Sequence, residues 1–173
     1  MATATNNIRA IVVMLSVWAL SGCASYSGSS LKAGTATQAD VRSRMGEPVA
    51  VHSQPAGAAY VQSWEYPRGP LGRHTFMVRF DGAGRLVAID QVLTLATVVQ
   101  IRIGQDKRED VRRLLGRPAM IFPARGGGEA WDYAAYADGG RPRLVRISVA
   151  FDTSGIALAA GESDDPEDKW PRP

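Results

Sequence analysis

Two octapeptides, "VRSRMGEP" (Val41 to Pro48) and "VRRLLGRP" (Val111 to Pro118), share one pattern and begin 70 residues apart. Each reads as the end of a helix. An apolar residue marks the buried face, a glycine (Gly46, Gly116) can take the left-handed helical conformation, at positive φ, where the helix stops, and a proline (Pro48, Pro118) forbids continuation. A period of 70 is too long for a solenoid, so the pattern predicts two small units in tandem.

The surrounding residues extend the repeat. The first copy runs Gly34, Val41, Gly46, Pro48, then Trp64 and Tyr66 in "WEY", then Phe80, Asp81 and Gly84 in "FDGAG". The second runs Gly104, Val111, Gly116, Pro118, then Trp131 and Tyr133 in "WDY", then Phe151, Asp152 and Gly155 in "FDTSG". Thr37 with Asp40, and Asp106 with Glu109, fit N-cap and N3 positions, where side-chain oxygens satisfy free N–H groups at a helix start. Val41 with Met45, and Val111 with Leu114 and Leu115, then fall on one helix face.

Strands follow each helix stop. "VRISVAF" and "FMVRF" alternate apolar and polar residues at period two, and each ends in an Asp-x-x-Gly turn followed by a returning segment, "RLVAID" or "IALAA". The expected fold is α+β: two tandem copies, residues 31–92 and 93–161, of a helix or helix pair followed by a three-stranded antiparallel meander. The apolar "VLTLATVVQIRI" (Val92 to Ile103) joins them, which predicts sheets that are adjacent or continuous.

The N-terminal segment has a different character. Arg9 precedes "AIVVMLSVWAL", an apolar run too short to span a bilayer as a helix, and residues 1–22 read as a signal peptide. "LSGC" (Leu20 to Cys23) resembles the bacterial lipobox, and Cys23 is the one cysteine of the chain. The resemblance implies a covalent lipid on Cys23, the only group the chain is expected to carry. Residues 23–30 then read as a lipidated tether, and Ala24, where retention signals carry aspartate, points to the outer membrane, facing the periplasm. The last twelve residues, 162–173, are acid-rich and read as a flexible tail.

Composition narrows the function. Of 20 basic residues 17 are arginines scattered along the chain, and the formal charge is only +3, which argues against nucleic-acid binding. The two histidines, His52 and His74, stand in unlike contexts, no Cys/His spacing suits a metal, and neither a Gly-x-Ser-x-Gly elbow nor a lysine-bearing phosphate loop is present. No constellation for catalysis or a small-molecule substrate emerges, and the chain reads as no enzyme. The residues retained as candidate partner or headgroup contacts are Arg42, Arg44, Arg108, Arg112, Arg113 and Arg117, together with Trp64 and Trp131.

The ordered set Gly, Val, Gly-x-Pro, Trp-x-Tyr and Phe-Asp-x-x-Gly, following a lipobox, resembles the SmpA/OmlA (BamE-like) family of outer-membrane lipoproteins. Its occurrence twice resembles the two-repeat β-lactamase inhibitory proteins. The first resemblance implies a non-enzymatic accessory or scaffold in outer-membrane protein assembly or envelope integrity, with an envelope protein as partner. The second implies an alternative, an inhibitor-like module gripping a periplasmic enzyme on a concave sheet face.

Overall fold

The computed structural model describes residues 26–55, 57–124, 126–137, 139 and 143–165. Cys23, the signal-peptide residues 1–22 and the tail from 166 onward lie outside the described residues. The first unit consists of α1 (Gln38–Met45), β1 (Ala50–Ser53), β2 (Gln62–Arg68), a 3-10 turn (Pro70–Gly72), β3 (His74–Phe80) and β4 (Leu86–Gln91). The second consists of α2 (Leu95–Val98), α3 (Arg108–Leu115), β5 (Met120–Pro123), β6 (Glu129–Tyr136), β7 (Leu144–Phe151) and β8 (Ala157–Asp164).

The class is α+β, but each sheet has four strands rather than three, ordered β1-β2-β3-β4 and β5-β6-β7-β8, all antiparallel. The extra strands, β1 and β5, lie between the proline and the tryptophan of each copy, ahead of the three strands expected there. Each is only four residues long and is defined by pairing with its neighbour, Val51 with Trp64 and Ile121 with Trp131. The sheets are separate, and a helix pair precedes the meander only in the second unit, where α2 is a single turn capped by Thr94.

The helices start as local chemistry dictates. Thr37 Oγ1 accepts the Asp40 N–H at 3.3 Å while Asp40 Oδ2 accepts the Thr37 N–H at 2.8 Å, a reciprocal cap on α1. In the second unit the cap is shifted from the expected Asp106 and Glu109 to Lys107 and Asp110, with Asp110 Oδ2 accepting the Lys107 N–H at 2.9 Å. Asp106 is instead buried, and its carboxylate accepts the backbone N–H and Nε–H of Arg102. It closes the turn before the helix.

Each unit has its own core. In the first, Val41 and Met45 of α1 pack with Trp64, Tyr66, Val78, Phe80 and Leu86. In the second, Val111 and Leu115 of α3 pack with Trp131, Tyr133, Val149, Phe151 and Ala157, and the linker residues Leu93, Val98 and Ile101 join that core. The contacts correspond closely. Trp64 tilts against Phe80 at 4.6 Å and Trp131 against Phe151 at 4.8 Å; Tyr66 donates to the Gly46 carbonyl and Tyr133 to that of Gly116. A register shift precedes both Phe80 and Phe151. Burial raises both phenols, Tyr66 to about 12 and Tyr133 further.

Two assignments at the ends of the chain change. Residues 162–164 complete β8, and Asp165 is buried with its carboxylate on Arg146 at 2.8 Å, so the flexible tail does not begin at residue 162. At the other end, Tyr26 to Ser30 are docked on the first unit rather than serving as tether. Tyr26 Oη lies 2.7 Å from His74 Nδ1, and Gly28 is so close to Met45 that a Cβ there would stand 2.7 Å from its sulfur.

Candidate functional site

The residues singled out from sequence fall into three groups. The first comprises the turn residues. Gly46 (φ 83°, ψ −166°) and Gly116 (φ 82°, ψ −160°) cap α1 and α3 at positive φ, with the extended ψ open almost only to glycine rather than the left-handed helical ψ expected. Asp81 Oδ1 accepts from the N–H groups of Ala83 and Arg85, and Asp152 Oδ1 from those of Ser154 and Ile156, so each aspartate closes the hairpin whose glycine, Gly84 or Gly155, takes positive φ. The hydroxyl and backbone of Ser154, with the backbone N–H of Ile156, hold Asp152 below the usual carboxylate range. Pro48 and Pro118 each follow the helix stop by two residues.

The second group is corrected. Trp64 and Trp131 are buried in their cores and unavailable to a partner. Their rings alternate onto the same sheet face as the tyrosines, and an arginine covers each: the Arg42 guanidinium lies 4.3 Å from the Trp64 ring and that of Arg112 lies 5.4 Å from Trp131. Those arginines therefore finish a core as much as they charge a surface.

The arginines form the third group, and the structure does not gather them into one patch. Arg42 pairs with Glu47, Arg113 with Asp110, and Arg108 with Glu129 while it also reaches the Asp152 carbonyl. Burial would push Asp110 up, but the Lys107 N–H and Arg113 outweigh it and hold its carboxyl low. Arg44 and Arg117 are exposed, on different units.

What sequence reasoning missed is the junction between the units. Glu65, in the middle of "WEY", points away from the aromatic face yet is 1 % exposed. Its Oε1 accepts the backbone N–H of Arg117 at 2.8 Å, just past the α3 stop, and its Oε2 meets His52 Nε2 at 3.1 Å. Gly116 lies directly over Glu65 and Thr75: a Cβ there would stand 2.9 Å from Glu65 Oε1 and 3.1 Å from Thr75 Cγ2. At the other end of the strands His74 stacks on Tyr136 at 5.1 Å. The face of the first sheet bearing Ser63, Glu65, Thr75 and Met77 is therefore buried, not an open concave surface.

Among the described residues two clefts run along this junction. One, about 240 Å³, lies between Gln54, Pro55 and Tyr60 of the first unit and Arg102, Asp106, Asp110 and Arg113 of the second. The other, about 290 Å³, has Val51, His52 and Ser53 facing Glu109, Arg112 and Arg113. In the first cleft the charged groups satisfy one another, Arg102 with Asp106 and Arg113 with Asp110, leaving no paired groups poised for proton transfer. Among the described residues no three His, Cys, Asp or Glu side chains gather as a metal site. Some of the exposed apolar side chains lie on edge strands, Val51 on β1, Ile121 and Phe122 on β5 and Leu158 on β8, and others on the linker, Leu95, Val99 and Ile103.

In the second unit a helix ending in Gly-x-Pro packs beneath a meander whose Trp-x-Tyr strand faces that helix. Residues 91–160 match the outer membrane protein assembly factor BamE domain. The BamE match opens on the last residue of β4 and closes within β8, so it takes in the linker, α2, α3 and the second sheet. It covers less than half of the chain and leaves the first unit outside. No curated protein and no solved structure matches the chain.

Proposed function

We propose that this chain is an outer-membrane lipoprotein, acylated on Cys23 after removal of residues 1–22, whose body faces the periplasm and acts as a non-enzymatic accessory in outer-membrane protein assembly through protein contacts. The observation that carries the reading is the match of residues 91–160 to an assembly-factor domain. We further read residues 31–92 as a second copy of the same unit. Support for this comes from the shared helix stop, the Tyr-to-carbonyl bond at that stop and the equivalent Trp–Phe pair. The exposed apolar residues of the edge strands, Phe122 and Leu158 among them, are where the partner is expected to bind.

Site-specific photocrosslinking in living cells tests this reading. A crosslinking residue at Phe122 or Leu158 should give adducts with components of the outer-membrane assembly machinery, and Cys23→Ser should abolish them by releasing the chain from the membrane fraction. Adducts confined to a soluble periplasmic enzyme, unaffected by Cys23→Ser, would overturn it in favour of an inhibitor-like binder.

A further inference from the structure

The docking of Tyr26 fixes how far the body can stand from a lipid on Cys23. Besides the bond to His74, the Tyr26 ring meets His74 and Phe76 edge-on at 5.7 and 6.1 Å, and its carbonyl accepts Arg68 Nε–H at 3.2 Å. The Gly28 carbonyl accepts the Leu31 N–H, and Gly28 itself is buried against Met45, Ile89 and Leu31. Residues 26–31 therefore belong to the folded body, and only three residue steps separate Cys23 from Tyr26. A chain spans at most about 3.6 Å per residue, so Tyr26 lies within roughly 11 Å of the lipid attachment point.

The docking point also belongs to both units. His74, which holds Tyr26, stacks on Tyr136 of β6. The Arg73 guanidinium, at the end of the β2–β3 loop, stands 5.9 Å from the same ring. The β2–β3 loop and the Tyr136–Leu144 end of the β6–β7 hairpin are thus at one end of the molecule. The Asp152–Gly155 turn lies at the other end of the eight-residue β7, roughly 26 Å away at about 3.3 Å per residue.

We infer that the end carrying Tyr26, Pro70 and Arg143 rests on the bilayer surface, the lipid bilayer being its partner, and that the Asp81–Gly84 and Asp152–Gly155 turns point away from it. This rests on the reading of Cys23 as the lipid attachment site. A tether this short holds the Tyr26 end at the membrane, and with the body standing on that end the far turns lie a strand's length from the surface, so the anchor bears on orientation as well as address.

Nitroxide labelling of the acylated full chain tests the inference. Pro70→Cys and Arg143→Cys place probes at the near end, and Ala83→Cys and Thr153→Cys at the far end, all at exposed positions. In phosphatidylethanolamine–phosphatidylglycerol vesicles doped with a nickel-chelating lipid, the near probes should relax strongly and the far probes should not. A Gly/Ser spacer of about ten residues inserted after Ala24 should erase that difference without releasing the protein. Acylated, membrane-bound protein whose four probes relax alike without the spacer would overturn the orientation and leave the lipid site standing. Mass spectrometry that finds Cys23 unmodified, with the chain soluble, would overturn the lipid site and the orientation together.

Discussion

Glu65, between the two core aromatics of β2, accepts the backbone N–H of Arg117, 52 residues later and in the other unit, at 2.8 Å. A carboxylate that is 1 % exposed and holds both a backbone donor and His52 is a costly thing to bury, and it is retained where the second helix stop meets the first sheet. Removing it with Glu65→Ala should leave the Arg117 N–H without its acceptor and cost about 2–3 kcal/mol; Glu65→Gln, which keeps an acceptor, should cost about half that. Urea unfolding of both variants checks the order.

Gly46 and Gly116 share one backbone conformation but not one environment. A Cβ at Gly46 meets nothing within 4 Å, whereas one at Gly116 meets Glu65 and Thr75. Gly46→Ala should therefore cost only backbone strain, on the order of 1–2 kcal/mol. Gly116→Ala should cost about 1–3 kcal/mol more, because the junction must also yield. Equal shifts in thermal midpoint would show that the two stops are not distinguished by the junction.

The buried phenols predict an alkaline limit. Burial lifts Tyr66 to about 12 from an ordinary value near 10, so its contribution is whole below pH 10 and is lost as pH rises through 12. Tyr66→Phe should cost about 1 kcal/mol at neutral pH, from the lost bond to the Gly46 carbonyl, and flatten the decline between pH 10 and 12. Stability measured against pH for both proteins gives the comparison.

At the acid end, Asp152 is held low chiefly by the Ser154 hydroxyl and Asp40 chiefly by the Thr37 backbone N–H. Their stabilisation is present above the unfolded carboxylate pKa of about 3.9 and is lost as pH falls below it. Asp152→Asn should lower the urea midpoint at pH 6 and reduce its further fall between pH 4 and pH 2.

What could be read from the sequence was what neighbouring residues decide among themselves. Thr37 and Asp40 cap α1 through each other, Gly46 and Pro48 stop it, and Asp81 and Asp152 close their own turns, so these features survive without reference to the rest of the chain. β1 and β5 were hidden because four residues carry too little alternation to declare a strand; only pairing with β2 and β6 makes them one. The second cap slipped to Asp106 because an aspartate is a better cap than a lysine, whereas here the N3 carboxylate of Asp110 does the work and Asp106 is spent on Arg102. Tyr26 was the one signal in a small-residue stretch that this segment docks. Glu65 gave none, since a charge opposite an aromatic face ordinarily looks to solvent, and the unit that buries it lies 52 residues on.

Scanning calorimetry of the unlipidated Cys23→Ser chain tests most directly whether the two units form one body around Glu65. The account predicts a single transition with calorimetric and van't Hoff enthalpies in a ratio near 1, and one that shifts as a whole when Val41→Ala or Val111→Ala weakens either core. Two transitions, one moved only by Val41→Ala and the other only by Val111→Ala, would contradict it.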